Sequence, residues 1–405
     1  MIKNFENLLI DDYNYYLPPD RIAQYPLPKR DEAKLLVYRI SNDKIEHQIF
    51  KELPDIIDDN YIIVRNNTKV FPSRFFLRKS TGANVEILIE SPTDTIVPEK
   101  ALNSPSPQHW LCIMRGKNLY PGLVIQGNFG TDIQIKATIL EIIESKRLCK
   151  LEWQPSNIAL VELLEKIGKI PLPEYIKREP ESIDKSTYQT VFAQIEGSIA
   201  APTAGLHFTE EVDDNLKKNG IEILELTLHV GSGTFVPLKT KEVFKHKMHS
   251  EQFSVDIDFL KKLYQKLINN KKIIAIGTTT VRTLESLYWY GSVKNINLEN
   301  PRIDQWVWQN TEINFPAIKS LENIIEAMEK ENFNEILGQT QLMIVPGYPY
   351  KIINGMITNF HLPKSTLLLL VASFVGREKM LELYRIALDS NYRFLSYGDA
   401  SLLLK

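Results

Sequence analysis

The chain has 405 residues, 43% of them hydrophobic, with a formal net charge of −2 and two cysteines. That length fits two domains better than one and allows a large core. The charge balance excludes a bulk polycation, so contact with nucleic acid would need a local basic patch. Cys112 and Cys149 supply neither a disulfide framework nor a cysteine-based zinc site, and in strand-like runs they read as buried small apolar residues. The N-terminal MIKNFENLLIDDY lacks an apolar signal core, and the longest apolar run, 367–375, is too short to span a bilayer. The expectation is a cytoplasmic protein without membrane contact.

In chain order, residues 13–30 mix aromatics, prolines and basic residues and read as irregular. Residues 34–40 and 44–50 flank Ser41-Asn42-Asp43 as a hairpin, and 61–65 is a strand. From Val70 the pattern becomes short strands only, at 85–90, 109–115, 119–125, 136–143 and 147–153, with a long Pro/Ser-rich loop at 91–108. Short strands without helices predict a small all-β barrel or sandwich. After Trp153 helices return. Leu160, Leu163, Leu164 and Ile167 mark one that stops at Gly168. Thr209, followed by Glu210 and Glu211, reads as the N-cap of a helix ending at Asn219-Gly220. Strands follow at 221–228, 273–276 and 342–345, with an amphipathic helix at 257–269 between the first two. Asn354-Gly355 predicts a hairpin between 352–353 and 356–357, and the run 367–375, apolar on all sides, a buried helix. The fold class is therefore α/β: a barrel-like α/β domain, residues 1–69 and 156–405, carrying an inserted small all-β barrel domain, residues 70–155.

Five polar loops interrupt these elements. IEGSIAAPTAGLHFT (195–209) is built of small residues that let a ligand approach the backbone, and it ends in His207. HVGSGTF (229–235) follows a strand, and KMHSE (247–251) sets His249 beside Glu251. GTTTVRTLES (277–286) leads a strand into a helix and offers N–H groups and hydroxyls to an anion, without the spacing of a Walker or dinucleotide motif. TNFHLPKST (358–366) precedes the buried helix, with Ser365 or Thr366 as its cap. The histidines show no ligand spacing, so no metal is expected, and no Gly-x-Ser-x-Gly elbow supports a serine hydrolase.

Together GSIAAPTAGLHFT, HVGSGTF, MHSE, GTTTVRTLES, PGY, TNFHLPKSTLLLLVASF and YRFLSYGDASLLL resemble the S-adenosylmethionine:tRNA ribosyltransferase-isomerases of queuosine biosynthesis. YYLPPDRIAQYPLPKRDEAKLLV and IPLPEYIKR resemble that family too, so the likeness runs from about Tyr13 to Leu404 and is weakest in the β block. The resemblance implies transfer of the ribosyl group of S-adenosylmethionine to 7-aminomethyl-7-deazaguanine at the tRNA wobble position. Rearrangement would then give epoxyqueuosine-tRNA, adenine and methionine. It implies S-adenosylmethionine as co-substrate, no prosthetic group, that tRNA as partner, and a monomer.

On this reading the sulfonium acidifies the adjoining ribose carbon, and a positioned base removes a proton there. His207, His229, His249 and Glu251 are the candidate acid/base residues, His207 first as base and His229 second. Phe208, Phe235 and Tyr397 offer aromatic faces to the cation. Thr278, Thr279 and Arg282 suit its carboxylate. Asp399 suits hydroxyls or amines, and Gly205, Gly231, Asn359 and His361 complete the substrate contacts. Lys364, with Arg377 and Arg393, suits tRNA phosphates.

The chain departs from the family's pattern at four positions: Asn67 in place of Asp, Lys169 in place of His, Val236 in place of Arg, and Gln341 in place of Asp. These raise the alternative of a divergent member that binds tRNA with altered substrate or lost activity. A different S-adenosylmethionine-dependent transferase is the remaining alternative, though the early Gly-rich loop of a methyltransferase is missing.

Overall fold

The computed structural model describes residues 7–231, 233, 238, 240–293, 295–309 and 315–405. Its strands are β1 (Lys34–Arg39), β2 (Lys44–Ile49), β3 (Tyr61–Asn66), β4 (Thr68–Val70), β5 (Arg74–Lys79), β6 (Asn84–Pro92), β7 (Gln108–Arg115), β8 (Val124–Phe129), β9 (Ile133–Ile143) and β10 (Lys146–Gln154). They continue with β11 (Ile195–Ser198), β12 (Glu222–His229), β13 (Glu251–Asp256), β14 (Lys272–Ile276), β15 (Arg302–Ile303), β16 (Glu335–Thr340), β17 (Gly355–Asn359) and β18 (Ala400–Leu404). Among the described residues, ten form one sheet in the order β15-β16-β13-β12-β3-β14-β17-β18-β1-β2. Six others close into an antiparallel barrel, β10-β7-β6-β5-β8-β9, and β4 pairs with β11 in parallel. The mixed α/β architecture with a small all-β barrel is thus present.

At the centre of the large sheet, β12, β3, β14 and β17 run parallel. Such strands are covered on both faces and so read as continuous apolar runs rather than alternating ones. Ile62 and Val64 face one core with Ala275, Leu284 and Leu368. Tyr61 and Ile63 face the other with Ile274, Ile357, Phe208 and Leu216. The barrel keeps its own core, in which Phe75, Ile87, Trp110, Ile139, Cys149 and Leu151 alternate inward and the helix Leu160–Ile167 packs against them. Both cysteines are free and buried there.

Local signals account for several element ends. Thr209 caps the helix Glu210–Lys218 by accepting from Val212 N at 3.2 Å, and Ser365 caps Thr366–Val375 by accepting from Leu368 N at 3.2 Å. Four expectations fail. Residues 342–345 are not a strand; the strand lies earlier, at Glu335–Thr340, and alternates with one face buried. The third barrel strand lies at Val124–Phe129 rather than 119–125, and the 91–108 loop carries the short helix Pro98–Leu102. Residues 352–353 form no hairpin with β17. The backbone N–H groups of Lys351, Ile352 and Ile353 all donate to the buried Glu285 carboxylate at 2.9–3.2 Å, so they are taken by a side chain and not by a ladder. Pattern reading also leaves unassigned the helices Ala317–Glu331 and Arg377–Asp389, the first packed on Ile257–Ile268 and Thr278–Gly291 and the second on Thr366–Val375.

Candidate functional site

The strand ends that carry the polar loops lie together. β3 ends at Asn66, β12 at His229, β14 at Ile276 and β17 at Asn359, and the antiparallel β18 starts with Ala400 opposite Asn359. This is the carboxyl end of the parallel strands, where sites in α/β sheets form. Gly277, with φ +84° and ψ 153°, turns β14 directly into the helix Thr278–Gly291, a backbone state essentially restricted to glycine.

Two adjoining clefts open here and share Leu367 as a wall. The larger is lined by His246, Met248, His249, Glu251, Arg282 and Thr366 among others. Arg282 is ion-paired with Glu251, and both are buried. Its Nε donates to Leu342 O at 3.1 Å and its Nη2 to Thr340 O at 3.4 Å. Buried inside an apolar wall, the pair is held by hydrogen bonds on several sides, the condition under which a buried ion pair is tolerated. The smaller cleft is lined by Tyr175, Thr203, Asn359, His361, Ser365 and Ser396 among others.

Burial sets the protonation of three imidazoles. It pushes the pKa of His207 down to about 4, that of His229 to about 4 and that of His361 to about 3, so all three are neutral at pH 7. His207 accepts from Asn359 Nδ2 at 3.4 Å, and its ring is turned to the Arg30 backbone and lies tilted against Phe50 with centroids 5.1 Å apart. His229 Nδ1 lies 2.9 Å from Thr68 Oγ1. The floor behind it is Gly197, where a Cβ would sit 2.6 Å from the ring, so the glycine makes room for the imidazole. Asn66 ties this group together: its Oδ1 accepts from Leu228 N at 3.0 Å and its Nδ2 reaches Thr279 Oγ1 at 3.5 Å. His361 Nε2 lies 2.8 Å from Thr358 Oγ1. His249 is the exposed imidazole and lines the larger cleft. Burial and the neighbouring His249 both push His246 down.

The other expected contacts divide. Thr278 and Thr279 form the buried first turn of their helix, but the hydroxyls of Thr280 and Thr283 fold back onto the carbonyls of Ile276 and Thr279. Gly205 is packed against Phe192, and Gly231 borders open space. Phe208 is fully buried in edge contact with Phe50 and Phe192, and the cation over its ring is Arg65 at 5.8 Å, so it serves the core. Tyr397 donates to Asp184, itself paired with Arg178. Asp399 accepts from Lys34 N at 2.8 Å and Arg393 N at 2.7 Å, which makes it a backbone anchor between β1 and β18. Lys364 pairs with Asp11, and Arg377 lies near Asp12 and Glu378. Phe235 and Val236 lie outside the described residues. The reading by motif passes over His246, Met248, Thr203 and Tyr175, although His246 is two residues before Met248 and Tyr175 sits inside IPLPEYIKR. Among the described residues no cluster of His, Cys, Asp or Glu is arranged to hold a metal ion, and no helix is long and apolar enough to cross a membrane.

Clefts lined by acid/base side chains and a buried ion pair at the carboxyl ends of parallel strands fit an α/β enzyme, and the comparisons supply its class, a transferase. The family described as queuosine biosynthesis protein matches residues 10–403, so the chain belongs to that family. It is 36% identical over 397 residues to the S-adenosylmethionine:tRNA ribosyltransferase-isomerase of Aquifex aeolicus, covering 98% of this chain and 99% of that one. The Thermotoga maritima enzyme of the same name is 37% identical over 400 residues, with 98% and 99% covered, and that of Legionella pneumophila 36% over 396, with 97% and 99%. A crystal structure of S-adenosylmethionine tRNA ribosyltransferase from Thermotoga maritima matches with a TM-score of 0.47 at 29% identity, covering 97% of this chain and 100% of that one.

Proposed function

We propose that the chain transfers and isomerises the ribosyl moiety of S-adenosylmethionine onto 7-aminomethyl-7-deazaguanine at the tRNA wobble position, giving epoxyqueuosine-tRNA and releasing adenine and methionine. The observation that supports this most is the charged cleft at the carboxyl end of the parallel strands, built from the loops that carry the family resemblance. S-adenosylmethionine brings a sulfonium, an ammonium and a carboxylate; the Arg282–Glu251 pair supplies both signs of charge. His249, open to that cleft, is the group we assign to proton transfer at the ribose carbon beside sulfur or to the leaving adenine. His207 and His229 stand behind the walls with ring nitrogens engaged, which suits them to positioning.

We read residues 70–155 as an inserted barrel domain and 1–69 with 156–405 as the α/β domain, with tRNA bound electrostatically near the clefts and the protein working as a cytoplasmic monomer. Among the departures at described residues, Gln341 touches the cleft: its Nε2 donates to Met248 O at 3.1 Å. Asn67 instead accepts from Thr227 Oγ1 at 2.7 Å, away from both clefts.

Product analysis tests the reading. Adenine released from S-adenosylmethionine, dependent on tRNA that carries 7-aminomethyl-7-deazaguanine, is the expected result. S-adenosylhomocysteine would mark methyl transfer instead, and no product a binding protein or a divergent substrate. His249→Ala should leave S-adenosylmethionine affinity within a few-fold while lowering turnover by roughly 10²–10⁴, the range for a lost acid/base group. Unchanged turnover would remove His249 from the chemistry.

A further inference from the structure

The two clefts differ in chemistry. The larger holds an arginine, a glutamate and two histidines, whereas the smaller holds a carboxamide, hydroxyls, a phenol and the neutral His361. The polar groups of the smaller cleft are organised in advance. Thr203 Oγ1 donates to Asn359 Oδ1 at 2.8 Å, and Asn359 Nδ2 donates to His207 Nε2 at 3.4 Å. A carboxamide has two N–H donors and two acceptor positions, so these contacts fix its orientation and leave one of each for a ligand. Tyr175 and Ser396 are joined through their hydroxyls at 2.6 Å and hold an aromatic face on the cleft.

A donor beside an acceptor on a fixed amide, an aromatic face and no net charge are what a planar heterocycle with an amidine-like edge requires. We infer that the smaller cleft is the subsite for a planar, uncharged heteroaromatic base, read by Asn359, with Thr203 and His207 as positioning residues for its carboxamide. The inference rests on the proposed ribosyl transfer, which has two such bases: the adenine of the co-substrate and the 7-deazapurine of the tRNA. The shared wall at Leu367 sets this subsite beside the charged cleft, as transfer between two bound substrates requires.

Calorimetry on the full chain, with free adenine, free 7-aminomethyl-7-deazaguanine and S-adenosylmethionine as probes, tests it. Asn359→Asp keeps the shape and removes the donors. It should weaken one base roughly ten- to hundred-fold, the loss that follows when a site built to hydrogen-bond loses its partner. If adenine and S-adenosylmethionine weaken together, the subsite takes the co-substrate's base; if only the deazaguanine weakens, it takes the wobble base. Thr203→Val, close in volume, should weaken the same base several-fold and carries the test if Asn359→Asp does not fold. His207→Ala should act on that base too, and His207→Gln, which keeps an acceptor, should restore part of the affinity. Both bases binding Asn359→Asp and Thr203→Val as they bind wild type, or neither binding wild type, would overturn the inference. The proposed reaction fails separately: wild type that releases no adenine but binds a base in an Asn359-dependent way refutes the reaction and leaves the subsite standing.

Discussion

The barrel and the carboxyl end of the large sheet solve burial in opposite ways. The barrel interior is apolar, with Trp110, Ile87, Ile139 and Leu151 closing on one another, and its buried Gln108 is satisfied by short local bonds, one of them to Trp110. The sheet end buries Asn66, His207, Glu251, Arg282, Asn359 and His361 within one region, with His229 half-buried beside them, and all but His361, which meets Thr358 three residues away, are satisfied by contacts distant in sequence. Polar groups out of water cost stability unless paired, so the second arrangement persists only where something beyond folding requires it. Stability should therefore respond to different insults in the two regions.

The largest effect is expected in the barrel. Trp110→Ala should cost about 3–5 kcal/mol by leaving a cavity, equally at pH 7.5 and pH 5, in urea unfolding. A cost that changed with pH would break the contrast. At the sheet end pH itself is the perturbant. Each of His207, His229 and His361 has a folded pKa depressed by burial to about 4, 4 and 3, against about 6.5 unfolded. The unfolded chain then holds more protons as pH falls, so their contribution is full above 6.5 and is lost as pH drops towards 4. At pH 5 roughly 2 kcal/mol should be gone for each. His229→Gln, still able to meet Thr68, should remove its share of the slope between pH 7.5 and pH 5; an unchanged slope would mean that His229 is not held neutral. Gly277→Ala is expected to cost on the order of 1 kcal/mol, because of its φ and not of crowding: the nearest atom to an added Cβ is 3.7 Å away. The smallest effect is at the rim. Lys364→Ala removes an exposed pair with Asp11 and should leave stability nearly unchanged. It should nevertheless weaken tRNA binding, and more at low salt, while S-adenosylmethionine binding holds. Equal loss of both would argue against a phosphate contact.

The same contrast explains what the sequence discloses. Barrel strands alternate in composition because one face is buried, and the caps at Thr209 and Ser365 are local, so both are legible. The loops of the sheet end are legible as departures from pattern. Their partners are not, since bonds such as His229 to Thr68 join residues whose sequence neighbours say nothing of one another. Glu285 shows the limit. On its helix it reads as a partner for Arg282, yet Arg282 turns to Glu251, and Glu285 takes the three N–H groups that would have made the Asn354-Gly355 hairpin. Burial pushes its carboxyl pKa up, against those donors. Phe208 and Asp399 carry the right chemistry for a site and serve the core and the backbone instead, because only the fold reveals which way they face.

The parallel pairing of β4 with β11 ties the barrel entry to the sheet end. The chain enters the barrel through Thr68–Val70, and Ile195–Ser198 lies alongside that strand, with Lys69 and Glu196 bridging the two at 2.8 Å. Thr68, the first residue of the outgoing strand, touches the His229 imidazole, and Ser198, the last of the other, receives Val230 N at 2.8 Å. The way into the barrel is therefore a short two-stranded ladder with one end a single hydrogen bond from the His229 imidazole and the other at the head of the small-residue loop.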